Sequence, residues 1–312
     1  MKILITGVAG FIGFHTARRF AELGHKVIGF DNFNEYYDPD LKYKRSTILL
    51  EEHGVMVYSQ DIKDESTVEA IEKMKPDFCI HLAAMAGVRY SMEHADEYIT
   101  NNCLGSLNVI RGLEKSGCKG VIYASTSCVM HGNPLPWGEA EYLYPQINPY
   151  GYTKYINESQ FHISKIPHAH GMRFFTVYGP WGRPDMALFD FTKNIIAGNP
   201  ITLFNYGDMK RDFTYVDDIV QGIECVFVNA YNSEREMYNI GRGEQVELKR
   251  FVEAIENSLG KKAIIEYGPK HPADAVETWS DTRKLQAIGY SPQTSIEEGV
   301  DNFVKWYRSH YN

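Results

Sequence analysis

The stretch TGVAGFIG at residues 6–13 lies between a short apolar run and an amphipathic helical pattern. Gly7 permits a tight turn, Gly10 lets the backbone approach a pyrophosphate, and Gly13 allows the helix to pack closely against the strand. The N-terminus of that helix would offer free N–H groups and a positive dipole end to phosphates. The stretch therefore predicts the strand, turn and helix that open a dinucleotide-binding fold.

Short apolar runs alternate with amphipathic stretches through the first half of the chain. The runs predict strands, and the stretches predict helices. The predicted strands are residues 2–6, 26–31, 55–59, 77–82 and 120–125, and the predicted helices are 11–23, 41–53, 67–74 and 95–115. Such alternation favours a parallel sheet. We therefore expect an α/β fold with a Rossmann-type doubly wound parallel sheet over residues 1–178.

The remaining residues, 179–312, are expected to form mainly a smaller, discontinuous C-terminal substrate lobe. The apolar periodicity loosens there into loops that contain Pro and Gly. We predict a hairpin near residues 201–214 and a return of the chain to the first lobe near 211–228. A further helix is predicted to begin near Tyr150, because Asn148 is a good N-cap and Pro149 fits the first helical position.

The acidic composition limits the kinds of partner. The 312-residue chain carries 32 Lys and Arg against 40 Asp and Glu, a formal net charge of −8. Such a chain is a poor non-specific binder of nucleic acid or membrane surfaces, and no apolar run is long enough to span a bilayer. The five cysteines form no CxxC pair, and no cluster has metal-ligand spacing. We expect a cytoplasmic protein with no metal site.

An acidic residue at the end of the second predicted strand indicates which dinucleotide binds. Asp31 lies at the distance from the glycines that is expected for a carboxylate on the adenosine ribose. Such a carboxylate accepts from a 2′-hydroxyl and repels a 2′-phosphate, which favours NAD over NADP. His81 is expected to be packed and hydrogen-bonded. The other predicted cofactor residues are Phe11, Ile12, Asn32, Asp61, Ile62, Leu82, Ala83, Ala84 and Asn102.

Three residues are predicted to carry the chemistry. Tyr150 and Lys154 stand four residues apart on one helix face, and Thr126 follows the fifth predicted strand, at the carboxyl edge where open α/β sheets bind ligands. Oxidation of a secondary alcohol needs a base for the hydroxyl proton. A free Tyr, with a pKa of ~10, is a poor base at neutrality. Lys154, the nicotinamide ring and the helix N-terminus would all favour the phenolate, and Lys154 would also reach the nicotinamide ribose.

These residues resemble those of the extended short-chain dehydrogenase/reductase family, in its nucleotide-sugar epimerase and dehydratase branch. The resemblance covers nearly the whole chain and is greatest to UDP-glucuronate (UDP-galacturonate) 4-epimerases. The stretches that carry it are residues 31–38, 86–91, 173–187 and 207–218. The resemblance implies NAD-dependent 4-epimerisation of a UDP-hexuronic acid through a transient 4-keto sugar. It also implies a homodimer, paired through helices at 95–115 and 150–166.

The resemblance also implies a set of substrate residues. By position, Thr126, Tyr150 and Lys154 match the family's catalytic set, Arg211 matches an arginine on the UDP phosphates, and Asp274 matches the acidic residue on the uridine ribose. Thr176 falls where uronate epimerases carry Thr and hexose epimerases carry Asn. The residues expected near the sugar carboxylate or the nucleotide are Thr176, Ser127, Cys128, Arg183 and Arg89.

Several positions depart from the family pattern, and several alternatives stay open. Residues 129–131 read VMH where the family usually reads VYG, Cys128 stands where Ser is frequent, and His271 replaces a usual Gln or Arg. A UDP-glucose/galactose 4-epimerase is the first alternative. A 4,6-dehydratase or a decarboxylase would need a carboxyl acid beside Thr126, and Ser127 and Cys128 stand there instead. A catalytically dead NAD-binding module would usually have lost Tyr150 or Lys154.

Overall fold

The computed structural model describes residues 1–140 and 145–311. The strands are β1 Lys2–Thr6, β2 Lys26–Asp31, β3 Met56–Ser59, β4 Phe78–His81, β5 Gly120–Thr126, β6 His168–Phe174, β7 Thr176–Tyr178, β8 Pro200–Leu203, β9 Lys210–Arg211, β10 Phe213–Tyr215, β11 Arg235–Ile240, β12 Val246–Glu247 and β13 Ile264–Tyr267. The helices are α1 Phe11–Glu22, α2 Pro39–His53, α3 Ser66–Met74, α4 Ala95–Tyr98, α5 Gly105–Ser116, α6 Pro149–Ile163, α7 Ala187–Ala197, α8 Val216–Asn229, α9 Leu248–Leu259, α10 Arg283–Gln286 and α11 Ile296–Tyr311.

Seven strands form one parallel sheet in the order β11-β6-β5-β4-β1-β2-β3. The predicted α/β class and the doubly wound parallel sheet are confirmed. The strand order reverses between β1 and β4, and in such sheets ligands bind outside the carboxyl ends of the strands at this point. β4 shows why the strands read as continuous apolar runs, because all four of its residues are buried.

Local signals in the sequence set the boundaries of the predicted helices well. The Asn148 side chain accepts a hydrogen bond from the Gly151 N–H at 2.7 Å, and Pro149 occupies the first turn of α6, as predicted. The helix predicted over 95–115 is helical throughout, but Ile99–Leu104 forms a π-helical segment between α4 and α5. That segment lies against α6, the helix that carries Tyr150 and Lys154.

The hairpin predicted near 201–214 is wrong. β8 pairs in parallel with β13, β9 pairs antiparallel with β12, and β10 pairs in parallel with β7. Between β8 and β9, Asn205, Tyr206 and Gly207 all have positive φ and turn the chain away from itself. The chain does turn within the predicted range, but the strands on either side of the turn pair with strands elsewhere.

The chain returns to the large sheet after residue 211. α8 packs on α1 through Phe20 and Phe227, whose rings are 5.0 Å apart, and through the ion pair of Arg19 with Glu224. β11 then adds to the sheet beside β6. α8 and β11 therefore both pack with the large sheet and its helices, and the division of the chain into two lobes stays a prediction. Within the described residues, no helix has the length and apolarity that a membrane crossing requires.

Candidate active site

A cavity of about 910 Å³ runs along the carboxyl edge of the sheet and under the C-terminal loops. Most of the predicted site residues line it. The predicted cofactor residues on its wall are Gly7, Gly10, Phe11, Ile12, Gly13, Asp31, Asn32, Ile62, Leu82, Ala83, Ala84 and Lys154. The predicted substrate and catalytic residues on its wall are Arg89, Thr126, Ser127, Cys128, Tyr150, Thr176, Arg183, Arg211 and Asp274. Asp61 and Asn102 are not among the residues that line it.

The glycine turn is built so tightly that side chains cannot enter it. Gly7 has a φ of 70°, and its N–H donates to the Phe30 carbonyl at 2.7 Å. A Cβ on Gly13 would lie 2.1 Å from the Gly7 carbonyl oxygen, and one on Gly10 would lie 2.9 Å from the same atom. The turn therefore brings the N-terminus of α1 directly beneath the cavity, where its N–H groups fit a pyrophosphate.

The Asp31 carboxylate links the glycine turn to the loop that follows β2. Its Oδ2 accepts from the Ala9 N–H at 3.0 Å and its Oδ1 accepts from the Phe33 N–H at 2.9 Å. Burial raises the pKa of Asp31, against the opposing effects of the hydrogen bonds from Phe33 and Ala9 and of the nearby Lys42 charge. The carboxylate lies on the cavity wall, in the place expected for a ribose acceptor.

Two predicted cofactor residues hold other wall residues. The Asp61 carboxylate accepts from the Asn32 amide at 2.9 Å. Asn102 is fully buried, and its side chain accepts from the Met85 N–H at 2.9 Å and donates to the Met85 carbonyl at 3.0 Å. Direct contact of these two residues with the cofactor stays a prediction.

His81 is packed and hydrogen-bonded, as predicted. Its Nδ1 lies 2.7 Å from the Thr6 hydroxyl, and its Nε2 lies 3.0 Å from the Ser106 hydroxyl. Burial lowers the pKa of His81 to about 3, helped by the positive charge of Lys154. The imidazole is therefore neutral at physiological pH and ties β1 and β4 to α5.

The predicted catalytic residues converge on one wall. Thr126 ends β5, while Tyr150 and Lys154 lie in the first turns of α6. Burial raises the pKa of Tyr150, as does the neighbouring Cys128, and a hydrogen bond with Thr126 and the Arg183 charge act in the opposite direction. Burial lowers the pKa of Lys154 to about 8. The expected phenolate is therefore not favoured by the protein alone, because burial outweighs the nearby positive charge.

An ion pair joins two of the predicted nucleotide residues. Arg89 Nη2 donates to the Asp274 carboxylate at 2.7 Å, and the Arg89 guanidinium lies 4.0 Å from the centre of the Phe204 ring. Arg211 donates to the Val276 carbonyl at 2.8 Å and to the Ala275 carbonyl at 2.5 Å. The loop before Thr278 is thereby fixed beside the cavity.

Sequence reasoning missed two residues that hold Arg183. Its Nε and Nη2 donate to the two carboxylate oxygens of Asp185 at 3.0 and 2.5 Å. The Tyr36 hydroxyl donates to the same carboxylate at 3.0 Å. Both partners lie within the stretches 31–38 and 173–187 that carry the resemblance, and this was the available signal. Arg183 thus faces the cavity with its charge already partly compensated.

The departures from the family pattern fall in different surroundings. Met130 and Val129 are fully buried and pack with Trp137 and Phe175 beside the cavity. Burial raises the pKa of the Cys128 thiol, and the Cys128 N–H donates to the Thr126 hydroxyl oxygen at 3.2 Å. The departure at 130 therefore belongs to the core, while the one at 128 belongs to the site.

Comparison with known proteins agrees with this geometry. Residues 3–241 match the sequence model of the NAD-dependent epimerase/dehydratase family. A probable UDP-glucuronate 4-epimerase of Rhizobium meliloti is 39% identical over 100% of this chain and 98% of its own length. The crystal structure of UDP-glucuronic acid 4-epimerase from Bacillus cereus, in complex with UDP-glucuronic acid and NAD, has a TM-score of 0.93 and 30% identity, with 100% of both chains covered. UDP-glucose 4-epimerase from Thermotoga maritima, with UDP-glucose, has a TM-score of 0.90 and 28% identity, again with 100% of both chains covered.

Proposed function

Because this chain belongs to the NAD-dependent epimerase/dehydratase family, we propose that it interconverts UDP-glucuronate and UDP-galacturonate by 4-epimerisation through a transient 4-keto sugar. The observation that carries the proposal is the convergence of Thr126, Tyr150 and Lys154 on one wall of a cavity whose floor is the glycine turn. An isomerase that oxidises and then re-reduces its substrate with one bound cofactor needs the catalytic residues and the cofactor turn in the same site.

The proposed roles follow from the positions of the side chains. Tyr150 takes the C4 hydroxyl proton and later returns it, and Thr126 hydrogen-bonds the same oxygen. When bound, NAD supplies the hydride acceptor and donor for C4, and its positive nicotinamide ring favours the Tyr150 phenolate. Lys154 adds a second positive charge near this wall. Because the cycle closes on itself, NADH should not accumulate with product.

The residues beside Thr126 favour epimerisation over elimination or decarboxylation. Loss of water from the keto sugar calls for a carboxyl acid there, and by the resemblance a decarboxylating enzyme typically carries Glu at the second position, whereas Ser127 and Cys128 stand here. Burial also raises the pKa of the Cys128 thiol, which makes it a weaker acid still. The hydroxyls of Ser127 and Thr176 remain as donors for a sugar carboxylate.

The test is a comparison of kcat/KM for UDP-glucuronate and UDP-glucose on one preparation. Donors placed for a carboxylate stay unpaired when a neutral CH₂OH binds, and such mismatches cost roughly 10⁴–10⁵-fold in the strongest cases. Thr176→Ala should lower uronate turnover more than any hexose turnover. Thr202→Ala, at another part of the same cavity wall, is the matched control. A preference for UDP-glucose would reassign the enzyme as a hexose 4-epimerase.

We further propose that the protein is a homodimer in the cytoplasm. Large apolar side chains are exposed on the helical segment 95–116 and on α6, namely Ile99, Leu104, Tyr155, Ile156 and Ile163. Pairing these helices with a second copy would cover them, as the family resemblance implies. All five cysteines are free thiols, which supports a reducing compartment.

A further inference from the structure

The face of α6 that carries Tyr150 and Lys154 continues to a third ionisable residue. Glu158 follows Lys154 by four positions, and residues four apart share a helix face. Its side chain is 9% exposed, so it is a buried carboxylate. None of the roles assigned above uses it.

Two neighbouring strands hold this carboxylate. Glu158 Oε1 accepts from the Ser125 hydroxyl at 2.5 Å and from Arg173 Nε at 2.9 Å, and Oε2 accepts from Arg173 Nη2 at 2.9 Å. Ser125 on β5 and Arg173 on β6 stand opposite each other in the sheet register. Ser125 is also the residue immediately before Thr126. The carboxylate thus joins α6 to the two strands at their carboxyl ends.

We propose that Glu158 is a positioning residue of the catalytic site, which fixes the Tyr150–Lys154 face of α6 relative to Thr126 and places a carboxylate on the same helix face as Lys154. The bidentate pair with Arg173 fixes the carboxylate in direction as well as distance. The hydrogen bond to Ser125 carries this constraint to the adjacent Thr126. This inference rests on the proposed function, because it assigns a task within that reaction.

The surroundings of Lys154 show why a carboxylate is needed. Burial lowers the pKa of Lys154 to about 8, and Cys103 and Glu158 act in the opposite direction. Tyr150 comes from the same helix, Cys103 from the π-helical segment, and His81 from β4. The Cys103 thiol is neutral at pH 7, since burial raises its pKa, and His81 is neutral as well. Among these described groups, Glu158 is the carboxylate; the others are a phenol, a thiol and an imidazole.

The experiment measures the charge of Lys154 directly. In holoenzyme with ¹⁵N-labelled lysine, the Lys154 side-chain signal is assigned by its loss in Lys154→Met and then titrated. Glu158→Gln should lower the Lys154 pKa by roughly one unit, the low end of the range for a neighbouring charge, because Arg173 is then left as an uncompensated cation. The high-pH limb of the kcat–pH profile should move to lower pH by the same amount.

Two further variants separate charge from geometry. Glu158→Asp keeps the negative charge but shortens the side chain, so the carboxylate lies farther from its partners. The Lys154 pKa should then fall by no more than about half of the change expected for Glu158→Gln. Turnover should nevertheless fall roughly tenfold or more, because misplacements of ~1 Å can cost 10²-fold. Glu158→Gln/Arg173→Met removes both charges, and its Lys154 pKa should lie between those of wild type and Glu158→Gln. This double variant also covers a failure of Glu158→Gln to fold.

The outcomes distinguish this inference from the proposed function. A Lys154 titration that is the same in wild type and in Glu158→Gln, or in Glu158→Gln/Arg173→Met should Glu158→Gln fail to fold, would overturn the role of Glu158, whatever substrate is used. Absence of UDP-glucuronate turnover in wild type would overturn the proposed function, and the NMR comparison would still stand.

Discussion

Replacing Gly13 by alanine would place a Cβ 2.1 Å from the Gly7 carbonyl oxygen, where ordinary contact begins at 3.4 Å. Gly7 cannot withdraw, because its N–H is bonded to the Phe30 carbonyl and its own Cα faces the Ala83 backbone. α1 must therefore move by roughly 1 Å or more, away from the turn. That helix carries the N–H groups on which the cofactor phosphates are proposed to rest.

The expected cost has two parts. Overpacking of this kind destabilises a fold by about 1–3 kcal/mol. Displacement of the helix N-terminus should also weaken NAD binding, and a misplacement of ~1 Å can cost 10²-fold in turnover. Gly10→Ala is the graded comparison, because its Cβ would lie 2.9 Å from the same oxygen and needs a smaller shift.

Urea unfolding of the NAD-free protein and calorimetric titration with NAD would measure the two parts separately. Gly13→Ala should lose more in both measurements than Gly10→Ala. If Gly13→Ala bound NAD as wild type does and unfolded at the same urea concentration, the close approach of helix and turn would not be what shapes the cofactor site.

Three other outcomes are expected. Tyr150→Phe should lower kcat by about 10²–10⁴-fold with NAD affinity unchanged, as measured by turnover and titration; retention of more than a tenth of the activity would remove Tyr150 as the base. Burial lowers the pKa of His15 and of His81 to about 3 in the fold, against 6.5 in the unfolded chain. The unfolded chain therefore binds more protons below pH 6.5, and the free energy of unfolding falls there by ~3 kcal/mol for each histidine at pH 4. Measured by urea unfolding, the free energy of unfolding should fall less between pH 7 and pH 4 in His15→Gln than in wild type. An equal fall in the two proteins would contradict this. Ile163→Glu, at a side chain 81% exposed, should convert the dimer to monomer in light scattering, whereas the same substitution at Val228, 71% exposed on α8, should not.

The parallel sheet and the position of the site could be predicted from sequence because their signals are local. The glycine turn, the buried strands and the N-cap at Asn148 each depend on a few adjacent residues. The carboxyl ends of parallel strands must meet at one edge of the sheet. The sequence alone could therefore bring together Asp31, Thr126 and Tyr150.

The short strands of the C-terminal half could not be predicted in the same way. β9 has two residues and β10 has three, too few for a period of two to appear. Their partners lie far along the chain, and pairing depends on the surface that the first lobe presents. The hairpin predicted near residues 201–214 therefore does not form.

Charge pairs were the other feature that sequence reasoning missed. Arg183 lines the cavity as predicted for a substrate residue, but its pair with Asp185 was not predicted. Arg173 lies in one of the stretches that carry the resemblance, and nothing in that stretch indicates its pair with Glu158, fifteen positions earlier. Such pairs are set by side chains that meet across the fold, and the residue types alone do not indicate which acid meets which base.

The last strand of the large sheet has a practical consequence for protein engineering. β11 reaches β6 only after the chain has passed through β7, α7 and β8, so a fragment cut at residue 178 would leave β6 as an open edge with unpaired N–H and C=O groups. Open edges of this kind invite aggregation. Chimaeras that exchange residues 179–215 and 241–312 between relatives should therefore keep residues 216–240 with residues 1–178, which takes three junctions, at 178/179, 215/216 and 240/241.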